Sequence, residues 1–253
     1  MTSRPFEGKV AVVSGAGRGI GRSTAIALAE RGARVILLSK TGSQLDEVVR
    51  VIGERAGKAL AMPTDIGDPV ELASTTQRIL KEVDGVDILV NNAGVVWPLG
   101  PSVSVDVNEW ARAIAVNLIG AVSLTMALLP GMIEQGWGRV ANVSSGIAAK
   151  PEGMIGANAY VTSKSALEAH TVNLAAELVG TGVTVNVYRP GAVDTQMQAW
   201  IRRQDGSRVI EELRDRFVES YETGKLITPH DSAESLVLNL TTDVTGQIWN
   251  VDR

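Results

Sequence analysis

Val10-Ala11-Val12-Val13 runs into Ser14-Gly15-Ala16-Gly17-Arg18-Gly19-Ile20-Gly21, an apolar tetrad followed by glycines at every second position and then by a helical pattern. The tetrad has the character of a strand covered on both faces. Glycines at 15, 19 and 21 permit a tight turn, a close approach of backbone to a pyrophosphate, and tight packing of helix on strand. The N-terminus of the helix that follows offers free N–H groups and a partial positive charge. A glycine loop before a helix can also be purely structural. The weight of this one comes from its place in the first strand-to-helix turn.

The same alternation continues outward. Short apolar runs at 10–13, 35–38, 59–62, 88–90, 140–143, 183–188 and 248–251 predict strands. Between them, 20–31, 43–56, 69–83, 106–134, 158–180 and 231–240 have helical patterns. Strand-helix-strand alternation predicts an α/β fold, a doubly wound parallel sheet with helices on both faces. With no repeat and no linker, the whole chain (1–253) is expected to form one domain. Residues 195–226 break the rhythm: they are highly charged, partly helical, and inserted before the last helix-strand pair. Such a segment lies over the carboxyl edge of the sheet, where open α/β folds bind ligands. It is expected to be either a mobile, solvated lid with few apolar contacts or a fixed helical excursion.

Composition narrows the chemistry. The 253 residues are 45% hydrophobic and carry a net charge of −4. The longest basic cluster is Arg202-Arg203, so neither nucleic acid nor an anionic membrane is the expected partner. Cysteine is absent, which removes disulfides, thiolate metal sites and a Cys nucleophile. The two histidines, His170 and His230, read as structural, and no metal is expected. Residues 1–8 are polar, and no run of 18 apolar residues occurs, so neither a targeting segment nor a transmembrane span is expected. A cytoplasmic location follows as the default.

Tyr160 and Lys164 stand four apart on a predicted helix and so share one face. An ordinary tyrosine, with a pKa near ~10, is too weak an acid for proton exchange at neutral pH. A neighbouring ammonium is expected to lower it. Ser144-Ser145 lies at a strand end before this helix, either as reacting groups or as mere caps. Asn117 sits inside Ala115-Val116-Asn117-Leu118, an odd place for a side chain that competes with helical hydrogen bonds.

Taken in order, the 14–21 turn, Thr64-Asp65-Ile66, Asn91-Asn92-Ala93-Gly94, Asn117, Ser144-Ser145, Tyr160-x-x-x-Lys164 and Pro190-Gly191 with Thr195 resemble the short-chain dehydrogenase/reductase family. The resemblance implies strand order 3-2-1-4-5-6-7 and hydride transfer between a nicotinamide dinucleotide and a ketone, aldehyde or alcohol. It implies Tyr160 as acid/base, Ser145 on the substrate oxygen, Lys164 on the nicotinamide ribose, and Asn117 holding a relay water. Gly15, Arg18, Gly19, Ile20, Gly21, Asp65, Ile66, Asn92, Ala93, Gly94, Pro190, Gly191, Val193 and Thr195 would lie along the cofactor.

A carboxylate ending the second strand would select NAD. Here Ser39 replaces it and Lys40 follows, so NADP is the expected cofactor and NAD the less favoured one. Arg18 would help hold the 2′-phosphate or else stack on adenine, and Lys40 can also be read as an ordinary solvated lysine.

Val96, Trp97, Ile147, Met154, Ile155 and Trp200 are the apolar residues expected to face a hydrophobic or cyclic ketone, with Trp97 and Trp200 in loops over the cleft. Alternatives are a 3-oxoacyl-carrier-protein reductase, or a nucleotide-sensing regulator without turnover. Against the first, Met132-Ile133-Glu134-Gln135-Gly136-Trp137 lacks basic residues for an acidic carrier. Against the second, Tyr160 and Lys164 are both present. Helices around 106–134 and 158–180 are apolar on more than one face, and the resemblance implies that they pair into a dimer or tetramer. Two departures from the family stand out: a wide Ser145-to-Tyr160 spacing, and Val251-Asp252-Arg253 at the C-terminus.

Overall fold

In β1 (Val10–Ser14) and β2 (Arg34–Ser39), four consecutive residues are buried, because helices cover both faces of the strands. The computed structural model describes residues 4–251, so Met1 to Ser3 and the closing Asp252-Arg253 lie outside the described residues. The remaining strands are β3 (Lys58–Pro63), β4 (Ile88–Asn91), β5 (Gly138–Val143), β6 (Val183–Arg189) and β7 (Ile248–Asn250). All pair in parallel, in the order β3-β2-β1-β4-β5-β6-β7. The chain winds outward from β1 to β3, then returns to β4 and winds the other way. The switch point is between β1 and β4, and the crevice opens beyond their carboxyl ends.

Side chains sort by strand period. Val13, Val35, Leu37 and Val90 face one way and pack on Leu28 of α1 (Gly19–Glu30), Leu45 of α2 (Gly42–Glu54) and Leu236 of α9 (Pro229–Asn239). Val12, Ile36, Leu38 and Leu89 face the other way, onto Leu72 and Ile79 of α3 (Pro69–Glu82) and Leu124 and Leu128 of α5 (Gly120–Glu134). Helices α3 and α9 start where short polar side chains, Asp68 and Thr228, cap them. Asp68 accepts from the N–H groups of Val70 and Glu71, and Pro69 fills the first turn, where a missing N–H costs nothing.

The expected helix over 106–134 is continuous from Val107 to Glu134 but not uniform. After α4 (Val107–Ile114), Ala115–Ile119 forms a π turn around buried Asn117 before α5 begins. By length and composition this stretch is apolar enough to cross a membrane, although it holds no unbroken 18-residue apolar run. Here its inward face, with Leu124, Leu128 and Met132, lies against the sheet. Met126 and Ile133 on its other side are exposed, as is Val172 of α6 (Asn158–Glu177).

The charged segment after β6 is better seated than its composition suggests. It holds α7 (Gln196–Arg202) and α8 (Glu211–Glu222). Its Ile201, Val209 and Leu213 are buried in a third apolar cluster with Val96, Leu99, Met154, Ala157 and Tyr160. The expectation of few apolar contacts is therefore corrected: the charges occupy one side, while a sparse set of aliphatic residues is buried on the other. Its ends are joined, since Ile227 N–H donates to Ala192 O at 2.9 Å and Asp194 N–H donates to Ile227 O at 3.0 Å.

Candidate active site

A cleft of about 440 Å³ runs across the carboxyl edge of the sheet. Its floor is the glycine turn, which is stitched to the end of β4. Ser14 Oγ accepts from the N–H groups of Asn92 and Ala93, each at 3.1 Å. Asn92 Nδ2 returns to the carbonyls of Ser14 and Gly15 at 3.0 and 3.2 Å. A Cβ on Gly15, where φ is +65°, would stand 2.8 Å from Ala93 Cα. Gly21 does not line the cleft. A Cβ there would stand 2.3 Å from Gly15 O, so its part is to let α1 pack on the turn that precedes it. Gly15, Arg18, Gly19 and Ile20 border the space above the first turn of α1. The bare backbone at this helix N-terminus fits a pyrophosphate.

One end of the cleft is cationic. Ser39, Lys40, Asp65 and Ile66 line it together. Ser39 Oγ is buried without a hydrogen-bond partner among the described residues, a polar atom that fits a ligand donor or acceptor. Lys40 is not merely solvated, because its Nζ sits 2.8 Å from Asp65 Oδ2. Arg112 of α4 approaches the same oxygen at 3.2 Å. Burial works to raise the Asp65 pKa, but hydrogen bonds from Lys40 and the Gly67 N–H, with the charges of Lys40 and Arg112, hold it below the ordinary value. Arg18 reaches across the cleft to hydrogen-bond the Gln196 side chain.

At the other end Ser145, Tyr160 and Lys164 converge. The wide Ser145-to-Tyr160 spacing is taken up by two short 3₁₀ turns, Gly146–Ala149 and Pro151–Gly153, and the two side chains meet in the cleft. The expectation that Lys164 lowers the tyrosine pKa is not met in this state. Burial pushes Tyr160 up, opposed only by the Ser145 hydrogen bond. The lysine amine instead donates to Val143 O at 2.7 Å and sits 5.9 Å from the centre of the phenol ring. Burial also pushes Lys164 down to about 8, while Glu168 pulls it upward. Desolvation thus draws both groups towards their neutral forms.

Asn117 lies behind the cleft lining, in the π turn. Its Oδ1 accepts from Val95 N–H at 2.7 Å, and its Nδ2 donates to Val95 O at 2.8 Å and Ser163 Oγ at 3.0 Å. It therefore braces the strand-end loop against α6. Ala93 and Gly94, and on the far wall Pro190, Gly191, Val193 and Thr195, line the cleft between its two ends.

Of the apolar residues expected to face a substrate, Val96, Trp97 and Met154 line the cleft. Ile147, Ile155 and Trp200 do not. Ile155 is 62% exposed, and Ile147 and Trp200 pack beside the third cluster. Trp200 belongs to α7 and not to a loop, and helical rotation turns Met197 and Ile201 inward in its place, with Phe217 of α8. Their four-residue spacing was the available signal. Arg112 gave none, because its approach to Asp65 depends on how α4 is docked.

The family model described as short chain dehydrogenase matches residues 9–206. The chain is 32% identical over 251 residues to the 3-oxoacyl-acyl-carrier-protein reductase FabG of Aquifex aeolicus, covering 98% of this chain and 97% of that one. Among solved structures, a variant of actinorhodin polyketide ketoreductase with NADPH superposes with a TM-score of 0.85 at 30% identity, covering 99% and 97% of the two chains. A 7α-hydroxysteroid dehydrogenase complexed with NADH and 7-oxo glycochenodeoxycholic acid does so with a TM-score of 0.85 at 28% identity, covering 98% and 94%.

The position of Lys164 has a thermodynamic consequence. Its folded pKa, about 8, lies below the ordinary 10.5. Between these values the unfolded chain holds the proton more tightly, so stability rises with pH across that window. The cost of burying the charge is complete below the lower value and gone above the upper one. Lys164→Met removes this term, so its stability relative to wild type should fall by about 3 kcal/mol between pH ~7 and pH ~10.5. Denaturant titrations of both proteins check this. A pH-independent difference would mean that Lys164 keeps its ordinary proton affinity.

Proposed function

Because this chain belongs to the short-chain dehydrogenase family, we propose that it is an NADP(H)-dependent carbonyl reductase and alcohol dehydrogenase with Tyr160 as the acid/base. The observation that carries this reading is the convergence of Ser145, Tyr160 and Lys164 at one end of a cleft whose floor is a glycine turn. The bound dinucleotide would supply hydride to a carbonyl carbon, or accept it from an alcohol. Ser145 holds the substrate oxygen against Tyr160, which gives it a proton during reduction and takes the proton back during oxidation. Lys164, its amine turned from Val143 O towards the cofactor ribose, would bring its charge to the phenol and lower its pKa. Asn117 keeps Val95 and Ser163 in place behind these groups.

For the cofactor, NADPH accompanies one structural relative and NADH another, so the choice rests on this chain's own residues. Ser39 places no carboxylate against a 2′-phosphate, and Lys40, Arg18 and Arg112 surround that end with positive charge. For the substrate, Val96, Trp97, Met154, Met197, Ile201 and Phe217 form an apolar wall suited to a hydrophobic or cyclic ketone. A second reading, reduction of a 3-oxoacyl group on a carrier protein, is favoured by the Aquifex relative but opposed by the lack of basic residues over 132–137. Residues 195–226 act in this scheme as a lid, because Ile201, Val209 and Leu213 share one apolar cluster with Tyr160. Closure would exclude water from the developing charge.

Tyr160→Phe should keep dinucleotide binding and lose at least ~10²-fold in kcat. Nicotinamide absorbance over a panel of cyclic ketones and an acetoacetyl carrier protein reads both rate and substrate class, and near-normal turnover by the variant would sink the assignment. Lys40→Ala should weaken NADPH much more than NADH, while Ser39→Asp tilts the balance towards NADH. Fluorescence titration with each dinucleotide decides this, and an equal loss for both would refute the phosphate role. Hydrogen exchange over residues 196–222 should slow when cofactor and a substrate analogue bind. Protection already complete in the free protein would mark the segment as fixed.

A further inference from the structure

Directly behind the reacting groups is a buried ionic cluster that the scheme above leaves without a role. Glu168, one helical turn beyond Lys164 on α6, is 8% exposed. Its carboxylate accepts from Ser144 Oγ at 2.7 Å, and from Arg189 Nε and Nη2 at 2.9 and 2.7 Å. Ser144 is itself buried and immediately precedes Ser145 at the end of β5. Arg189 closes β6 and immediately precedes the Pro190-Gly191 turn. Burying a carboxylate with a guanidinium is expensive, and an apolar pair of the same volume would stabilise the fold as well or better. What the charged pair adds is direction. A planar guanidinium fork holding both carboxylate oxygens fixes three segments relative to one another in a way that side-chain packing does not.

We propose that Glu168 is a positioning residue that locks the Ser145 strand end and the Pro190 turn onto α6 and sets the charge presented by Lys164. The proposal rests on the oxidoreductase reading of the cleft, and it gives that reading an element unforeseen from the motifs. Ser144, the serine that would not touch substrate, gains a part in the site, because its hydroxyl ties the reacting serine's neighbour to the helix carrying Tyr160.

Glu168 also acts on Lys164 through space. The titratable and charged groups around Lys164 among the described residues are Tyr160 and Glu168 on its own helix and Arg189 at the end of β6. The partner offered by β5, Val143 O, is neutral, as is Asn117 of the π turn, which with Lys164 flanks Gly94. Against the burial that weakens the lysine's hold on its proton, Glu168 is the one anion in the set, and its charge favours the ammonium.

The test uses Glu168→Gln, which keeps shape and one acceptor but removes the charge. In the free protein, NMR titration of ¹³Cε-labelled lysine, with the Lys164 signal assigned through Lys164→Met, should show Lys164 losing its proton at lower pH in the variant than in wild type. In turnover, the alkaline limb of the kcat/KM profile should move in the same direction. At a fixed neutral pH, kcat should fall by about 10- to 100-fold, while KM for the dinucleotide changes by less than about threefold. Because Glu168→Gln leaves Arg189 partly unpaired, the double variant Glu168→Leu with Arg189→Met provides an apolar fit for the same volume. It should fold and still show the depressed kcat. Folded variants with an unmoved Lys164 midpoint and kcat within about twofold of wild type would overturn the proposal. Should wild type itself reduce no carbonyl with either dinucleotide, the reading of the cleft fails, and the NMR midpoint still decides whether Glu168 governs Lys164.

Discussion

Three residues of β1 lie beside three of β4, Ala11 with Ile88, Val12 with Leu89 and Val13 with Val90. Everything else in the molecule is arranged around this pairing. Because the chain reaches β4 only after building β2 and β3 on the other side of β1, the connections leaving β1 and β4 must diverge, and a crevice opens between them. The glycine turn after β1 and the loop after β4 then face each other across a gap too narrow for a side chain at Gly15. The hydrogen bonds of Ser14 and Asn92 close that gap. A cofactor-sized floor is therefore a product of strand order first and residue identity second.

Much of this was legible without coordinates, because it depends on short-range periodicity. Near-continuous apolar runs announced strands buried on both faces, and the Tyr160-to-Lys164 interval placed both side chains on one helical face. The parts that were not legible share a cause, which is that they depend on how one element rolls against another. Whether Trp200 or Ile201 faces the cleft is a question of about 100° of helix rotation. Arg112 meets Asp65 across 47 residues through the docking of α4. Asn117 was visible as an anomaly in a helix, but only the three-dimensional arrangement shows that the anomaly is a π turn whose side chain holds Val95. Likewise the spacing predicted that Lys164 would favour the phenolate, yet spacing carries no information on burial, and burial dominates both groups in this state.

That dominance describes a site in which burial disfavours both charged forms, although an amine with a midpoint of about 8 is still largely an ammonium at neutral pH. An ammonium in an apolar setting is costly, and so is a phenolate, yet each offsets much of the other's cost once they are brought together. Val143 O provides the lysine with one strong acceptor in the meantime. The arrangement resembles a spring set by solvation: the ionisation of Tyr160 and Lys164 is coupled to what enters the cleft.

The joining of Val193 to Ile227 has a different kind of consequence. With both ends of the α7–α8 excursion fixed at one bridge, the sheet does not register how long the excursion is or what it contains. The entropy of closing a flexible loop grows only slowly with length, by about 0.6 kcal/mol for each doubling. The segment is thus modular in its anchoring: a replacement of different size, grafted between the same two anchors, would leave the strand order and the glycine floor as they are, while changing the apolar packing that Ile201, Val209 and Leu213 share with Tyr160.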